Sequence, residues 1–181
     1  MDKILFFQSE RLVYRPLRQE DLPTIVRQRN EATMRRWFYF LEPDCLTERY
    51  AQKLIEDTQA TWRKMPDILR DACDLGIYRK DTGELIGDVG LSKQHVRSPE
   101  APPDLEIGYH IAEAYEGQGF GTEAAKAAIA WAFARLRELG AEPVVRAYIE
   151  HGNQPSARVA EKAGFTYERD EEYVTVYAIR G

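Results

Sequence analysis

The sequence predicts a single α/β domain, residues 1–181, in which about seven strands form one mixed sheet flanked by about four helices. Three observations carry this. Apolar runs of period two alternate with stretches of helical period. The elements read strand, two helices, three strands, helix, strand, helix, two strands, an order that packs helices onto a sheet. The 181 residues, 44% hydrophobic and 30% charged, are enough to bury one sizeable core.

Arg11 to Arg15 alternates with period two and stops at Pro16, which makes it the first strand. Asp21 with Pro23 behind it resembles a helix entry, and Leu22, Ile25, Val26 and Arg29 recur at spacings of three and four. After the aromatic cluster Trp37-Phe38-Tyr39-Phe40 and Pro43, Thr47 caps a second helix. Its apolar face is Ala51, Leu54, Ile55, Thr58 and Trp62, and Pro66 closes it. Asp74 to Tyr78 and Leu85 to Leu91 are strand-like runs joined by Lys80-Asp81-Thr82-Gly83-Glu84, a hairpin. A stiff surface connection with Pro99, Pro102 and Pro103 leads to a third run, Leu105 to Ile111. The Ala-rich segment Thr122 to Leu139 carries the stripe Ala125, Ile129, Ala132, Phe133 and Leu136 and stops at Gly140. Val144 to Ile149 is a strand. Asn153 caps the last helix, with Pro155 in its first turn and Gly164 past its end, and Phe165 to Tyr167 pairs with Tyr173 to Ile179.

Composition excludes several functions. A net charge of −5 argues against nucleic-acid binding, which draws its affinity from basic charge. Cys45 and Cys73 match no metal or redox spacing, and His95, His110 and His151 share no element, so no metal is expected. The apolar start up to Phe7 is too short for a signal peptide, and the longest apolar run, Ala127 to Ala134, cannot span a bilayer. A cytoplasmic protein that does not engage membranes is expected, as a monomer or homodimer.

The stretch that carries chemistry is Tyr115-Glu116-Gly117-Gln118-Gly119-Phe120-Gly121-Thr122-Glu123, between a strand and the Ala-rich helix. Alternate glycines let the backbone approach a ligand and turn successive N–H groups to one point, and the helix N-terminus adds free donors and positive dipole. Such a loop suits a pyrophosphate. It is not a Walker loop, which would need Gly-Lys-Ser/Thr after four residues, and the dinucleotide fingerprint would need glycine at Thr122. A glycine turn that merely joins strand to helix remains the alternative.

A second segment, Asn153-Gln154-Pro155-Ser156 continuing through Glu161-Lys162-Ala163-Gly164-Phe165, is also distinctive. Together the two segments resemble the acyl-CoA loop and following helix of the GNAT superfamily of N-acetyltransferases. Ser9-Glu10-Arg11-Leu12 and Glu106-Ile107-Gly108-Tyr109 resemble the branch typified by ribosomal-protein alanine N-acetyltransferases. The likeness runs from about Ser9 to Ile179. It implies a mostly antiparallel sheet with a V-shaped splay between the Glu106–Ile111 and Val144–Ile149 strands, acetyl-CoA as cosubstrate, and a small-molecule or peptide amine as acceptor. The amides of Gly117, Gln118, Gly119, Phe120, Gly121 and Thr122 would hold the pyrophosphate, with Glu116, where the superfamily often has Gln or Arg, pointing away. The strand edge His110-Ile111-Ala112 would pair with the pantetheine amides. Asn153 would bond the pantetheine or cap its helix, and Lys126 would reach a phosphate or stay solvated.

Acyl transfer needs a neutral amine, yet aliphatic amines are mostly protonated near neutral pH, so a base is required. Strand alternation puts Glu106, Gly108 and His110 on one face, and a cleft carboxylate there suits proton abstraction, directly or through water. The competing role for Glu106 is a structural ion pair, and for His110 a packed strand histidine. No tyrosine stands in the Asn153 helix, where many members carry a general acid. Ser156 holds the position used by the alanine-type branch, where it can donate to the sulfur or satisfy helix N–H groups. Neither cysteine lies near these motifs, so direct transfer in a ternary complex is favoured over an acyl-cysteine. A non-catalytic acyl-CoA module and a generic nucleotide-binding domain are the other classes. Trp37 to Phe40 and Gln94 to Asp104 are expected on the acceptor side.

Overall fold

In the computed structural model, residues 7–37, 47–93 and 105–181 are described. One open sheet of eight strands runs in the order β1-β2-β3-β4-β5-β6-β8-β7. The strands are β1 (Phe7–Gln8), β2 (Leu12–Arg15), β3 (Leu75–Arg79), β4 (Leu85–Lys93), β5 (Leu105–Ile111), β6 (Val144–Glu150), β7 (Thr166–Asp170) and β8 (Val174–Arg180). Every neighbouring pair is antiparallel except β5 and β6. The helices are α1 (Leu22–Arg29), α2 (Ala32–Trp37), α3 (Glu48–Thr61), α4 (Phe120–Glu138) and α5 (Gln154–Ala163).

Most expected elements form within one or two residues of their predicted bounds; β7 runs three residues past Tyr167, α3 stops at Thr61 well before Pro66, and two elements are added. β1 pairs two residues against β2 and is too short to show a period, and α2 is a six-residue helix with one buried position, Met34. Among the described residues the count therefore becomes eight strands and five α-helices instead of about seven and about four.

The termini form for the expected local reasons. The Thr47 hydroxyl accepts from the Tyr50 amide and the Asn153 side chain from the Ser156 amide, each satisfying a donor the helix itself leaves free. Gly164 ends α5 at φ 106, a left-handed conformation that costs a side-chain-bearing residue about 1–2 kcal/mol.

Helices cover both sheet faces. Beneath α4 and α5 lies the main core, including Leu12, Ile77, Ile86, Val89, Ile107, Val145 and Ala147. On the opposite face α1 and α3 bury Ile25, Ala51 and Ile55 against Leu17, Tyr78 and Leu85. Gln28 of α1 donates to the Leu85 carbonyl at 3.0 Å, and Tyr78 donates to Asp21 at 2.6 Å. No helix among the described residues is long and apolar enough to cross a membrane. Phe38 to Phe40, Cys45 and the Gln94 to Asp104 connection lie outside the described residues.

Candidate active site

The glycine loop forms a backbone cradle at the head of α4. Gly117 and Gly119 stand at φ 72 and 83, and Gly119 is the residue that caps the helix. The Glu123 amide bonds back to the Gly119 carbonyl, so Phe120, Gly121 and Thr122 present the N–H groups without a helical partner. A Cβ at Gly117 would meet nothing within 4 Å, so what glycine supplies there is conformation. Gly121 serves packing instead, since its Cβ would stand 3.4 Å from Val159 and 3.6 Å from Ile111. Phe120 is buried and anchors the loop, while Glu116, Gln118 and Lys126 are exposed.

A brace from the other end of the chain supports this cradle. Glu123 accepts from the Ser9 hydroxyl (2.6 Å), the Arg11 amide (2.7 Å) and the Arg11 guanidinium (2.7 Å), and Arg11 also donates to the Gln118 carbonyl at 3.1 Å. Burial opposes the charge of Glu123, but these bonds outweigh it and hold its carboxyl below the usual range. The Ser9-Glu10-Arg11-Leu12 segment thus ties down the glycine loop, a contact between distant segments that the sequence does not signal.

Beside the cradle the sheet opens. β5 and β6 are joined by one register pair, Glu106 opposite Arg146, and beyond it no pairing continues toward Ile111 and Glu150. The gap therefore opens at the strand ends that lead into the glycine loop and into α5. The Ala112 amide bonds the Ile86 carbonyl, and antiparallel alternation turns the main chain of His110 to β4 as well. Of the three expected edge residues, Ile111 faces the gap, with Tyr109.

Across the mouth, Asn153 and Ser156 begin α5. Asn153 caps through its side-chain oxygen, which leaves its amide N–H groups to donate elsewhere. The Tyr109 phenol donates to the Ser156 carbonyl at 3.0 Å and accepts from the Ser156 hydroxyl at 3.1 Å. Burial pushes the Tyr109 phenol up to about 12, against the pull of the Ser156 bond, so it stays protonated. Sequence reasoning missed this tyrosine because it comes from β5 and not from the helix.

Glu106, Gly108 and His110 point to the sheet face on which α1 and α3 pack, where Gly108 is exposed. His110 is buried, with ring nitrogens 3.5 Å from Asp88 and 3.9 Å from Glu31, so it packs with those carboxylates. Asp88 is desolvated, but the Arg29 guanidinium at 2.9 Å and the neighbouring His110 hold its carboxyl at about 2. Glu113 at the end of β5 accepts from Thr33, and Arg36 and Trp37 at the far end of α2 help line a groove of about 450 Å³ with Glu150, His151, Gly152, Glu172 and Tyr173. So α2 crosses the mouth of the gap from the end of β5 to the end of β6. Cys73 is buried, and desolvation and nearby aspartates push its thiol up to about 12, which suits packing better than nucleophilic attack. Among the described residues no His, Cys, Asp and Glu cluster could hold a metal ion.

An open sheet splayed beside a glycine-rich backbone loop at a helix N-terminus is the arrangement of a class of coenzyme A-dependent acyltransferases. Residues 11–166 match the family model described as acetyltransferase (GNAT) domain, and the chain belongs to that family. It is 31% identical over 148 residues to YdaF of Bacillus subtilis (strain 168), provisionally named a ribosomal N-acetyltransferase, covering 80% of this chain and 73% of that one. It is 37% identical over 90 residues to YkkB of the same organism, half of this chain, and that match spans 48% of YkkB. An acetyltransferase structure from Agrobacterium tumefaciens superposes with a TM-score of 0.73 at 25% identity, covering 99% and 96% of the two chains. A ribosomal-protein-S5-alanine acetyltransferase from Vibrio fischeri gives 0.71 at 20% identity, covering 97% and 96%. AAC(6')-Ib, solved with parmomycin and acetyl-CoA, gives 0.69 at 16% identity, covering 94% of each chain. Acetyl-CoA is accordingly the cosubstrate of the family's reaction, and the likeness supports the ribosomal-acetyltransferase branch.

Proposed function

We infer that this protein transfers the acetyl group of acetyl-CoA to a primary amine, on a protein N-terminus or a small molecule, by direct attack in a ternary complex. The observation that carries this reading is the backbone cradle at the head of α4 set beside the gap between β5 and β6. The Gly117 to Thr122 main chain would hold the pyrophosphate. The main chain of Tyr109 and Ile111 and the Asn153 amide would hold the pantetheine arm in the gap. The thioester supplies an activated carbonyl whose sulfur can leave.

The remaining roles fall to this chain's side chains. Glu106 stands at the vertex of the gap, where a carboxylate can take a proton from the acceptor or orient a water that does. Ser156, held by the Tyr109 phenol, would donate to the departing sulfur. The groove between α2 and the β7–β8 turn, lined by Arg36 and His151 as well as Glu150 and Glu172, would receive the acceptor. The free, buried Cys73 is consistent with a reducing compartment such as the cytoplasm.

Thiol release from acetyl-CoA, measured against a panel of amines and N-terminal peptides, tests the reading. Amine-dependent turnover that falls ~10²-fold or more in Glu106→Gln with acetyl-CoA affinity retained would support it. CoA binding with no turnover against any amine would mark a non-catalytic acyl-CoA module instead.

A further inference from the structure

A second carboxylate faces the acceptor side. Asp74 lies just ahead of β3, where its carbonyl accepts from the Trp62 indole at 2.9 Å. Its side chain lies over β4, since a Cβ at Gly90 would stand only 2.0 Å from Asp74 Oδ1. Gly90 pairs with Gly108 of β5, which is exposed and whose own Cβ would meet nothing within 4 Å. The Asp74 carboxylate fills the space over Gly90, and the opening in the sheet lies beside it over Gly108. Glu106 lies two residues along β5 from Gly108 on the same face.

Asp74 also borders a cavity of about 130 Å³ lined by Leu17, Arg29, Tyr50, Leu54 and Asp88. Arg29 is committed to Asp88, and its Nε is buried without a hydrogen-bond partner. Among the described residues no ion pair or hydrogen bond reaches the Asp74 carboxylate. The charged and titratable groups around it are Arg29 of α1, Tyr50 and Asp57 of α3, the adjacent Cys73 and Asp88 of β4. Desolvation, with Asp88 and Asp57 adding repulsion against the pull of Arg29, pushes its carboxyl up to about 6. A half-buried carboxylate that no ion pair or hydrogen bond from the described residues engages, beside the opening over Gly108, is suited to receive an ammonium.

We propose that Asp74 binds the acceptor's ammonium above Gly108 and takes its proton, a role that rests on the acetyltransferase reading. The ammonium N–H bond breaks and the proton passes to an Asp74 oxygen, directly or through one water. The freed nitrogen lone pair forms the N–C bond to the thioester carbonyl carbon. The resulting adduct collapses with loss of the C–S bond, the sulfur leaves as thiolate and takes the second amine proton, and Asp74 returns its own to solvent. Glu106, opposite Arg146 at the vertex, orients the amine.

The test uses the full chain with acetyl-CoA and three probe amines, spermidine, ethanolamine and an alanine-initiated tripeptide, followed by thiol release from about pH 5 to 9. Asp74→Asn should lower kcat by ~10²-fold, abolish the acid limb of the profile near pH 6, and leave CoA affinity by calorimetry within about twofold. Gly90→Ala, which displaces the carboxylate without changing charge, should lower kcat in the same direction, and Asp74→Glu should recover part of it. An Asp74→Asn enzyme that binds CoA and keeps the wild-type acid limb, while Glu106→Gln loses it, would assign the proton to Glu106 and overturn the proposal. Absence of amine-dependent turnover in the wild type would remove the transferase reading and this proposal together.

Discussion

Gly119→Ala isolates the work of the cradle. The residue sits at φ 83, and its Cβ would lie 3.5 Å from Arg11 Nη2, an ordinary contact, so the substitution introduces backbone strain without a collision. An L-residue held in that conformation costs about 1–2 kcal/mol. The exposed loop can relieve this by rotating out of the left-handed region, which turns the Phe120 and Gly121 amides away from their common focus. CoA must then restore the strained geometry on binding, so its affinity should fall by up to that amount, about 5- to 30-fold. Gly140→Ala is the matched control, because Gly140 stands at φ 66 in open space past the other end of α4. Both variants should lose a similar, small amount of stability in urea. Only Gly119→Ala should weaken CoA in a calorimetric titration. Unchanged CoA affinity in a folded Gly119→Ala protein, or equal loss in both variants, would refute the assignment of the cradle.

Other expectations follow from the same geometry. Glu123→Gln weakens three contacts to Ser9 and Arg11 and should lower both thermal stability and CoA affinity, whereas Lys53→Ala, at an exposed pair on α3, should change neither measurably. Ser156→Ala should lower kcat less than Glu106→Gln, because a thiolate leaves tolerably well without help; the reverse ranking in a thiol-release assay would move the main chemical burden to α5. Asp74, raised from 3.8 to about 6, favours its protonated form in the folded state. Its contribution to stability is therefore present below about pH 3.8 and lost as the pH rises through 6. Asp74→Asn should stabilise the protein at pH 8 by at most on the order of 3 kcal/mol and hardly at all near pH 3, as melting temperatures at the two pH values would show. Asp88 behaves oppositely: held at about 2, it stabilises the fold above about pH 3.8 and loses that effect as the pH falls through 2, so Arg29→Met should raise the pH of acid unfolding.

Much of the architecture is local information and was legible residue by residue. The alternation of Leu105 to Ile111, the alanine-rich period of α4, the Thr47 and Asn153 caps and the glycine at 164 each act within a few positions of chain. Each therefore leaves its mark in the sequence. The glycine loop is of the same kind, since positive φ at Gly117 and Gly119 is a property of those residues. What escaped were elements too short to show a period, β1 and α2, of which α2 crosses the mouth of the gap. Tertiary structure alone decided the pairings between distant segments. Glu123 reaches Ser9 and Arg11 from more than 110 positions away, Tyr109 meets Ser156 across the gap, and Asp74 lies over Gly90 because a neighbouring strand has no side chain there. The single pair between β5 and β6 is likewise invisible in either strand alone, because both are fully formed strands by pattern. A residue's type states which bonds it can make, but only the folded sheet sets which partner stands within reach, and the proton chemistry of Asp74 and Tyr109 depends on that burial and proximity.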